Sequence, residues 1–263
     1  MNGARGSFTH ALRTIACAAI AIPMAAAAVV TGCRSSSVMP SQTSVRPGGD
    51  AAAGRVLFIG NSLTEANALP SIVETVSRQG GTPISTASVV FGGFSLEDHW
   101  NQGTAQRRIA EGGWAFVVLQ QGPSSLAESQ RALREWTARF DAVVRANGGR
   151  TALYMVWPES NRRDAFDAVS HSYTQAAEDV SGMLFPVGEA WRAAWRRDPA
   201  LQLYGPDGFH PTAAASYLAA LVIYQQISGR SPVGLPPWPQ MPAARARLLQ
   251  EAAQDANAQF GRR

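Results

Sequence analysis

Hydrophobic positions from Arg55 onward follow two spacings along the chain. Short apolar runs predict β-strands near residues 56–59, 83–91, 116–119, 151–157 and 184–187, and the first of them is uninterrupted, as in a strand buried on both faces. Between and after these runs, apolar residues recur every three to four positions, as at Leu69, Ile72 and Val76. This second spacing predicts amphipathic helices over residues 67–79, 96–109, 125–147, 164–180, 189–197, 212–227 and 243–260.

Strands and helices alternate in this pattern, and no hairpin turn joins two of the strands. The order predicts an α/β fold in which a five-stranded parallel sheet lies between two layers of helices, a three-layer α/β/α sandwich. Ligands of such sheets bind outside the carboxyl ends of the strands. Because Ser62, Gly93 and Gln121 each closely follow a predicted strand, we expect a site at that edge of the sheet.

The first 32 residues have the features of an export signal. Arg5 and Arg13 precede an Ala-rich apolar stretch over residues 15–30, which is short and rich in small residues for a membrane-spanning helix. The stretch ends in Val30-Thr31-Gly32-Cys33, which resembles the lipobox of bacterial lipoproteins. The resemblance implies lipidation of Cys33 and an anchor in the cell envelope, on the periplasmic side or at the cell surface. Cleavage as an ordinary secreted protein is the alternative.

The remaining chain divides by composition. Residues 33–54 are rich in Ser, Pro and Gly and predict a flexible tether behind the lipidated cysteine. Residues 55–230 contain the alternating strands and helices of the expected domain, and residues 231–263 contain a Pro-rich segment and a helix expected to pack on it.

Composition narrows the functional classes. The 263 residues are 46% hydrophobic, enough for a sizeable core, and the net charge of +4 comes without a basic cluster interleaved with aromatics. Nucleic acid is therefore not an expected partner. Cleavage before Cys33 would remove Cys17 and leave no pair for an internal disulfide. No cluster of His, Asp and Cys has the spacing of metal ligands, so we expect neither a metal nor another cofactor. The expected oligomeric state is a monomer.

Ser62 is the candidate nucleophile. It follows the first strand across Gly60-Asn61, two residue types that tolerate sharp turns, and it precedes a helix. The first N–H groups of a helix have no partners within the helix and can bind an oxyanion. The simpler alternative is that Ser62 or Thr64 only caps the helix.

A serine nucleophile needs a base, and His210 has the best sequence context for that role. It lies in Asp207-Gly208-Phe209-His210-Pro211, where an Asp three residues earlier can accept the imidazole Nδ1–H and orient the ring. A loop with a helix-capping His is the alternative. His171 is expected to be a solvated surface residue, and His99 is expected to pack or to make a hydrogen bond beside the substrate.

Together these segments resemble the SGNH (GDSL-like) hydrolase family. Gly60-Asn61-Ser62-Leu63-Thr64 resembles the nucleophile block, Gly93 the glycine of the second block, and the segment from Asp207 to Pro211 the final Asp-x-x-His-Pro block. The resemblance covers about residues 55–227 and implies a flavodoxin-like fold. It also implies a serine esterase in which Ser62 is the nucleophile, His210 the general base and acid, and Asp207 its orienting partner. The backbone N–H groups of Ser62 and Gly93 would be oxyanion donors.

The third oxyanion donor departs from the family pattern. Its usual Asn is replaced by Gln120-Gln121-Gly122, which resembles the Gln-Gly-Glu of sialate O-acetylesterase-like relatives. We favour Gln121 as this donor, with Gln120 as the alternative. In the nucleophile block, Asn61 replaces the family's usual Asp, a change that still permits the turn but loses one polar contact.

Three residues are candidate substrate contacts. Asn61 precedes the nucleophile, and Trp157 and Glu159 follow the fourth predicted strand, although a Trp in that position is more often part of the core. The predicted activity is hydrolysis of small acyl esters, acetyl in particular, on a carbohydrate or a cell-envelope polymer. A lipase-like or thioesterase-like enzyme and a catalytically silent glycan-binding lipoprotein are the alternatives.

Overall fold

The computed structural model describes residues 54–261 and contains the predicted five-stranded parallel sheet. The strand order is β2-β1-β3-β4-β5. The strands are β1 Gly54–Gly60, β2 Ile84–Val90, β3 Trp114–Leu119, β4 Arg150–Tyr154 and β5 Met183–Phe185. The fold class is thus confirmed, and all four neighbouring pairs of strands run parallel.

The interior position of β1 in the sheet explains why the first apolar run is uninterrupted. Strand β1 pairs with β2 on one side and with β3 on the other. Its residues from Val56 to Ile59 are all fully buried, because helices cover both faces of the strand.

Nine α-helices lie within residues 54–261. They are α1 Ser62–Glu65, α2 Leu69–Gln79, α3 Leu96–Gln102, α4 Thr104–Ala110, α5 Ala127–Ala146, α6 Phe166–Asp179, α7 Val187–Arg197, α8 Ala213–Ser228 and α9 Ala243–Phe260. Helices α2 and α8 pack on each other, as do α5 and α6. The crossover from β1 to β2 runs in the opposite direction to the later crossovers. Since such crossovers are right-handed, α2 covers one face of the sheet while α4, α5 and α6 cover the other.

Two predicted helices are interrupted in the structure. The helix predicted over 67–79 begins only at Leu69, because Asn67 and Ala68 adopt left-handed conformations with φ of 55° and 54°. The Asn67 amide donates to Pro211 O at 3.0 Å and to Ser216 Oγ at 2.9 Å, contacts that hold this kink. The helix predicted over 96–109 is divided at Gly103, which has a φ of +81°.

The C-terminal helix packs against the domain. Helix α9 contacts α7 and α8. Its Asn257 accepts a hydrogen bond from Gln226 at 3.0 Å and donates to Val222 O at 3.1 Å. Between residues 54 and 261, no helix has the length and apolarity needed to cross a membrane. The predicted signal peptide, the lipidation of Cys33 and most of the tether lie outside the described residues.

Candidate active site

Ser62 lies where β1 turns into α1, at the carboxyl edge of the sheet. Asn61 caps α1, with its Oδ1 accepting from Leu63 N at 3.1 Å. Gly60 is required at this turn, because a Cβ there would lie 2.4 Å from Gln120 Oε1. Within the described part of the chain, the backbone N–H of Ser62 has no hydrogen-bond partner, so it remains available to an oxyanion.

His210 joins Ser62 to Asp207 in a hydrogen-bonded series. Its Nε2 lies 2.8 Å from Ser62 Oγ, and its Nδ1 lies 2.5 Å from Asp207 Oδ2. Because a carboxylate only accepts, Nδ1 carries the hydrogen in the neutral ring, and Nε2 is then free to take the serine proton. The structure therefore brings together the three residues that the sequence proposed as nucleophile, base and orienting acid.

Asp207 is held as an anion. Its hydrogen bond with His210, together with those from backbone N–H groups, lowers its pKa to about 2. The backbone donors are Phe209 N and His210 N, each 3.0 Å from Oδ1. The carboxylate thus orients the ring with one oxygen and holds its own loop with the other.

The loop that carries Asp207 and His210 is braced by the segment after β4. Trp157 Nε1 donates to Phe209 O at 2.9 Å, and Ser160 N donates to Gly208 O at 2.8 Å. Gly208 has a φ of +72°, a conformation that favours glycine. These contacts fix the height of His210 above the sheet edge.

Gln120 and Gln121 have different roles in the structure. Gln120 is fully buried, and its Nε2 donates both hydrogens, to Asn61 Oδ1 at 2.9 Å and to Gln121 O at 2.7 Å. Its amide therefore has no hydrogen left for an oxyanion. Gln121 accepts from Leu96 N at 3.3 Å and donates one hydrogen to Ser124 Oγ at 2.8 Å, which leaves its second Nε2 hydrogen unpaired among the described residues. The geometry thus favours Gln121 over Gln120 as the donor.

Gly93 lies in the turn that follows β2, with a φ of +75°. Asn61 Nδ2 donates to Phe94 O at 3.0 Å, which ties this turn to the nucleophile turn. A Cβ at Gly93 would meet no atom within 4 Å, so glycine is required here by the backbone conformation and not by crowding. The predicted oxyanion role of its N–H stays a prediction.

The substrate contact predicted for Trp157 is wrong. The side chain is fully buried, and its ring stacks on Trp191 with a centroid distance of 3.8 Å. It supports the loop that carries Asp207 and His210 and is not open to a ligand.

The other two predicted substrate residues differ in availability. Asn61 is buried, and its Oδ1 already accepts two hydrogen bonds, from Leu63 N and Gln120 Nε2. Only one Nδ2 hydrogen remains for a ligand, so its main role is to hold the turn. Glu159 is partly exposed beside Arg162, with 3.8 Å between Oε2 and the guanidinium, and remains a candidate contact.

Two residues of the site region, Gln120 and Tyr173, have roles that were not predicted, whereas the predicted packing of His99 is confirmed. Gln120 connects β3 to the nucleophile turn, and His99 Nε2 lies 2.8 Å from Gly60 O. The buried Tyr173 hydroxyl donates to Gln121 O at 2.7 Å, and burial raises the pKa of this hydroxyl. No sequence signal marks Tyr173, because its helix spacing is that of an ordinary core position.

Between residues 54 and 261, no group of three or more His, Cys, Asp and Glu side chains is arranged to hold a metal ion.

Comparison with known proteins gives matches of fold. No protein-family model and no curated protein sequence matches the chain. A DUF4886 family protein from Bacteroides uniformis superposes with a TM-score of 0.68 at 19% identity, covering 78% of this chain and 94% of that one. A candidate SGNH hydrolase from Slackia heliotrinireducens superposes with a TM-score of 0.54 at 29% identity, covering 65% and 97%. A lipase/acylhydrolase from Enterococcus faecalis gives 0.53 at 15% identity, covering 67% and 96%. The chain therefore has the fold found in SGNH hydrolases.

Proposed function

We propose that this protein is a serine ester hydrolase that works through an acyl-enzyme on Ser62. The observation that carries the proposal is the series Ser62 Oγ, His210 and Asp207, with distances of 2.8 and 2.5 Å. General-base transfer needs heavy atoms within about 3 Å or one bridging water, and the Ser62–His210 distance meets that requirement. The similarity in fold to the Slackia protein supports the same class.

The reaction proceeds in two halves. Ser62 Oγ attacks the ester carbonyl carbon while its proton passes to His210 Nε2. The tetrahedral intermediate collapses, the bond to the alcohol oxygen breaks, and the imidazolium returns the proton to that oxygen. Water then attacks the acyl-enzyme with His210 as base, which releases the acid and restores Ser62.

The negative charge that develops on the carbonyl oxygen would be bound by N–H groups at the same sheet edge. The donors are the backbone N–H of Ser62, that of Gly93 and the spare Nε2 hydrogen of Gln121. A single donor of this kind typically contributes about 3–4 kcal/mol to transition-state binding. Three neutral donors and a neutral base leave Asp207 as the only full charge of the catalytic series.

The exposure of the site supports a large alcohol partner. The His210 and Asp207 side chains are 41% and 51% exposed, so the leaving-group side of the nucleophile is open to solvent. An ester whose alcohol part is a polymer can approach such an open surface, whereas an ester of a small alcohol does not require an open surface. The proposed substrate is an acetyl or other small acyl ester on a carbohydrate or cell-envelope polymer, reached from the envelope through lipidated Cys33.

The test is hydrolysis of p-nitrophenyl esters of increasing chain length by the full chain purified in detergent. Wild type should cleave the acetate fastest, and Ser62→Ala and His210→Ala should lose most of the activity while retaining the fold. Ser71→Ala and His171→Ala are matched controls, because both side chains are exposed and away from the catalytic series. Faster turnover of long-chain esters would indicate a lipase-like or thioesterase-like enzyme instead.

A second measurement distinguishes a selective esterase from a silent binding protein. A fluorophosphonate probe labels an activated serine whatever the acyl preference of the enzyme. Labelling of wild type and not of Ser62→Ala is the expected result. Absence of labelling, together with absence of turnover on every ester, would refute the proposed function.

A further inference from the structure

The peptide unit between Gly60 and Asn61, directly before the nucleophile, is hydrogen-bonded at both ends. Its carbonyl oxygen accepts from Phe91 N at 3.2 Å and from His99 Nε2 at 2.8 Å. Its N–H donates to Gln120 Oε1 at 2.9 Å. Both lone pairs of the oxygen and the only hydrogen of the nitrogen are therefore used. Rotation of this peptide plane would break three hydrogen bonds at once.

His99 is a buried neutral ring in this arrangement. It is fully buried on α3 and packs against the rings of Phe91 and Phe94 at centroid distances of 5.7 and 5.3 Å. Because a carbonyl only accepts, Nε2 must carry the hydrogen, and Nδ1 has no hydrogen-bond partner in its buried position. Burial lowers the pKa of His99, since an imidazolium here would place a second N–H where nothing accepts it.

Gln120 holds the other end from below the turn. Its Oε1 accepts from Asn61 N and from Thr64 Oγ1, at 2.9 and 2.7 Å. The backbone donor fixes the orientation of the amide, because Nε2 could not face an N–H. The absence of a Cβ at Gly60 provides the room for this amide.

We propose that His99 and Gln120 are positioning residues that clamp the Gly60–Asn61 peptide and thereby fix Ser62 Oγ against His210. The inference rests on the proposed function, since it concerns how the nucleophile of that reaction is held. Neither side chain touches the substrate in this role. Both clamping groups are uncharged, so they fix the turn without adding charge beside the reacting carbonyl.

The effect of releasing the clamp follows from the geometry of the series. Ser62 is the next residue after the clamped peptide, and its Oγ makes a 2.8 Å contact with His210. A misplacement of about 1 Å in a catalytic group can cost roughly 100-fold in rate. We therefore expect loss of the His99 hydrogen bond to reduce kcat/KM by roughly 10- to 100-fold, with the reduction in kcat and little change in KM.

Two variants of His99 carry the same amide group and differ by one methylene in side-chain length. In His99→Gln the amide nitrogen takes about the place of imidazole Nε2 and can still donate to Gly60 O. In His99→Asn the amide nitrogen corresponds to Nδ1 and is too short to reach that oxygen. Both are neutral amides, so polarity and charge are matched. We expect Gln to retain most of the activity and Asn to lose it, with folding checked by circular dichroism and thermal unfolding.

The experiment combines fluorophosphonate labelling rates of the full chain with ¹⁵N NMR of the His99 ring in wild type. The expected result is an Nε2–H neutral tautomer at neutral pH, with slow labelling of folded His99→Asn and near wild-type labelling of His99→Gln. An Nδ1–H tautomer or an imidazolium would overturn the inference, and this readout does not depend on whether any variant folds. Equal labelling of wild type and folded His99→Asn would overturn the inference alone. A wild type that is never labelled would remove the proposed function and this inference with it.

Discussion

Replacing Asp207 by Asn tests the catalytic series through a tautomer. In the wild type, Oδ1 accepts two backbone N–H groups and Oδ2 accepts His210 Nδ1–H. An Asn side chain has one oxygen, and the two fixed backbone donors will hold it at the Oδ1 position. Its NH₂ group then faces His210 Nδ1, which must become the acceptor. The ring hydrogen moves to Nε2, where it points at Ser62 Oγ and cannot take the serine proton.

The expected loss of activity in Asp207→Asn follows from a comparison with a serine-protease triad and from the exposure of the Asp207 side chain. The corresponding aspartate-to-asparagine change in a buried serine-protease triad costs roughly 10⁴-fold in kcat. Asp207 is 51% exposed, so water can compete for the ring and allow part of the population to keep the productive tautomer. We therefore expect a loss of roughly 10²–10³-fold for Asp207→Asn, below the larger loss expected for Ser62→Ala.

The assay is kcat/KM for p-nitrophenyl acetate across pH, with ¹⁵N NMR of His210 in the same samples. Wild type should show the Nδ1–H tautomer and Asp207→Asn the Nε2–H tautomer. Activity of the Asn variant within twofold of wild type, or a changed tautomer without loss of activity, would refute the reasoning. Loss of folding in parallel with activity would mean that Asp207 acts only through its loop.

Three further predictions follow from the same contacts. Gln121→Leu should lower kcat by roughly 10²–10³-fold, and it should lower the midpoint of thermal unfolding less than Gln120→Leu does, because the Gln121 amide loses two hydrogen bonds and the fully buried Gln120 amide loses four; equal kinetic and thermal effects of the two would contradict this division. Gly208→Ala should lower the free energy of unfolding, measured with denaturant, by about 1–2 kcal/mol, because φ is +72° and the new Cβ would lie 2.4 Å from Ser160 Oγ. Adding Ser160→Gly to this variant should recover only the part of the loss that comes from the contact with Ser160 Oγ. The pKa of Asp207 is lowered from 3.8 to about 2, so ionised Asp207 stabilises the folded state. This stabilisation is complete above pH 3.8 and is lost as the pH falls through 2. Asp207→Asn should abolish this part of the pH dependence of the free energy of unfolding.

Features that depend on the residues of one short segment could be predicted from the sequence. Short apolar runs located the strands, and the spacing between Asp207 and His210 implied the hydrogen bond that the structure contains, because three residues across a glycine turn bring the two side chains together. The helix 243–260 matched α9 at both ends.

Contacts between distant parts of the chain could not be predicted from the sequence. The kink at Asn67 depends on Pro211 and Ser216, 144 and 149 residues away. The burial of Trp157 depends on Trp191, which approaches only when β4 and α7 are packed. Gln120 and Gln121 are adjacent and chemically identical. Successive side chains at the end of a strand point to opposite sides, and the sequence does not say which of the two amides faces the nucleophile turn and makes its hydrogen bonds there.

The distance along the chain between Ser62 and His210 has a consequence for biogenesis. The two residues are 148 positions apart, and the loop that carries His210 is hydrogen-bonded to Asn67, Trp157 and Ser160, which come from two earlier segments. During synthesis the turn that carries Ser62 can form with β1, β2 and β3 before His210 has been added to the chain. A chain that stops or unfolds before α8 therefore contains a serine without catalytic power. The proposed activity would therefore arise late in folding, after the sheet has assembled and the contact between Ser62 and His210 has formed.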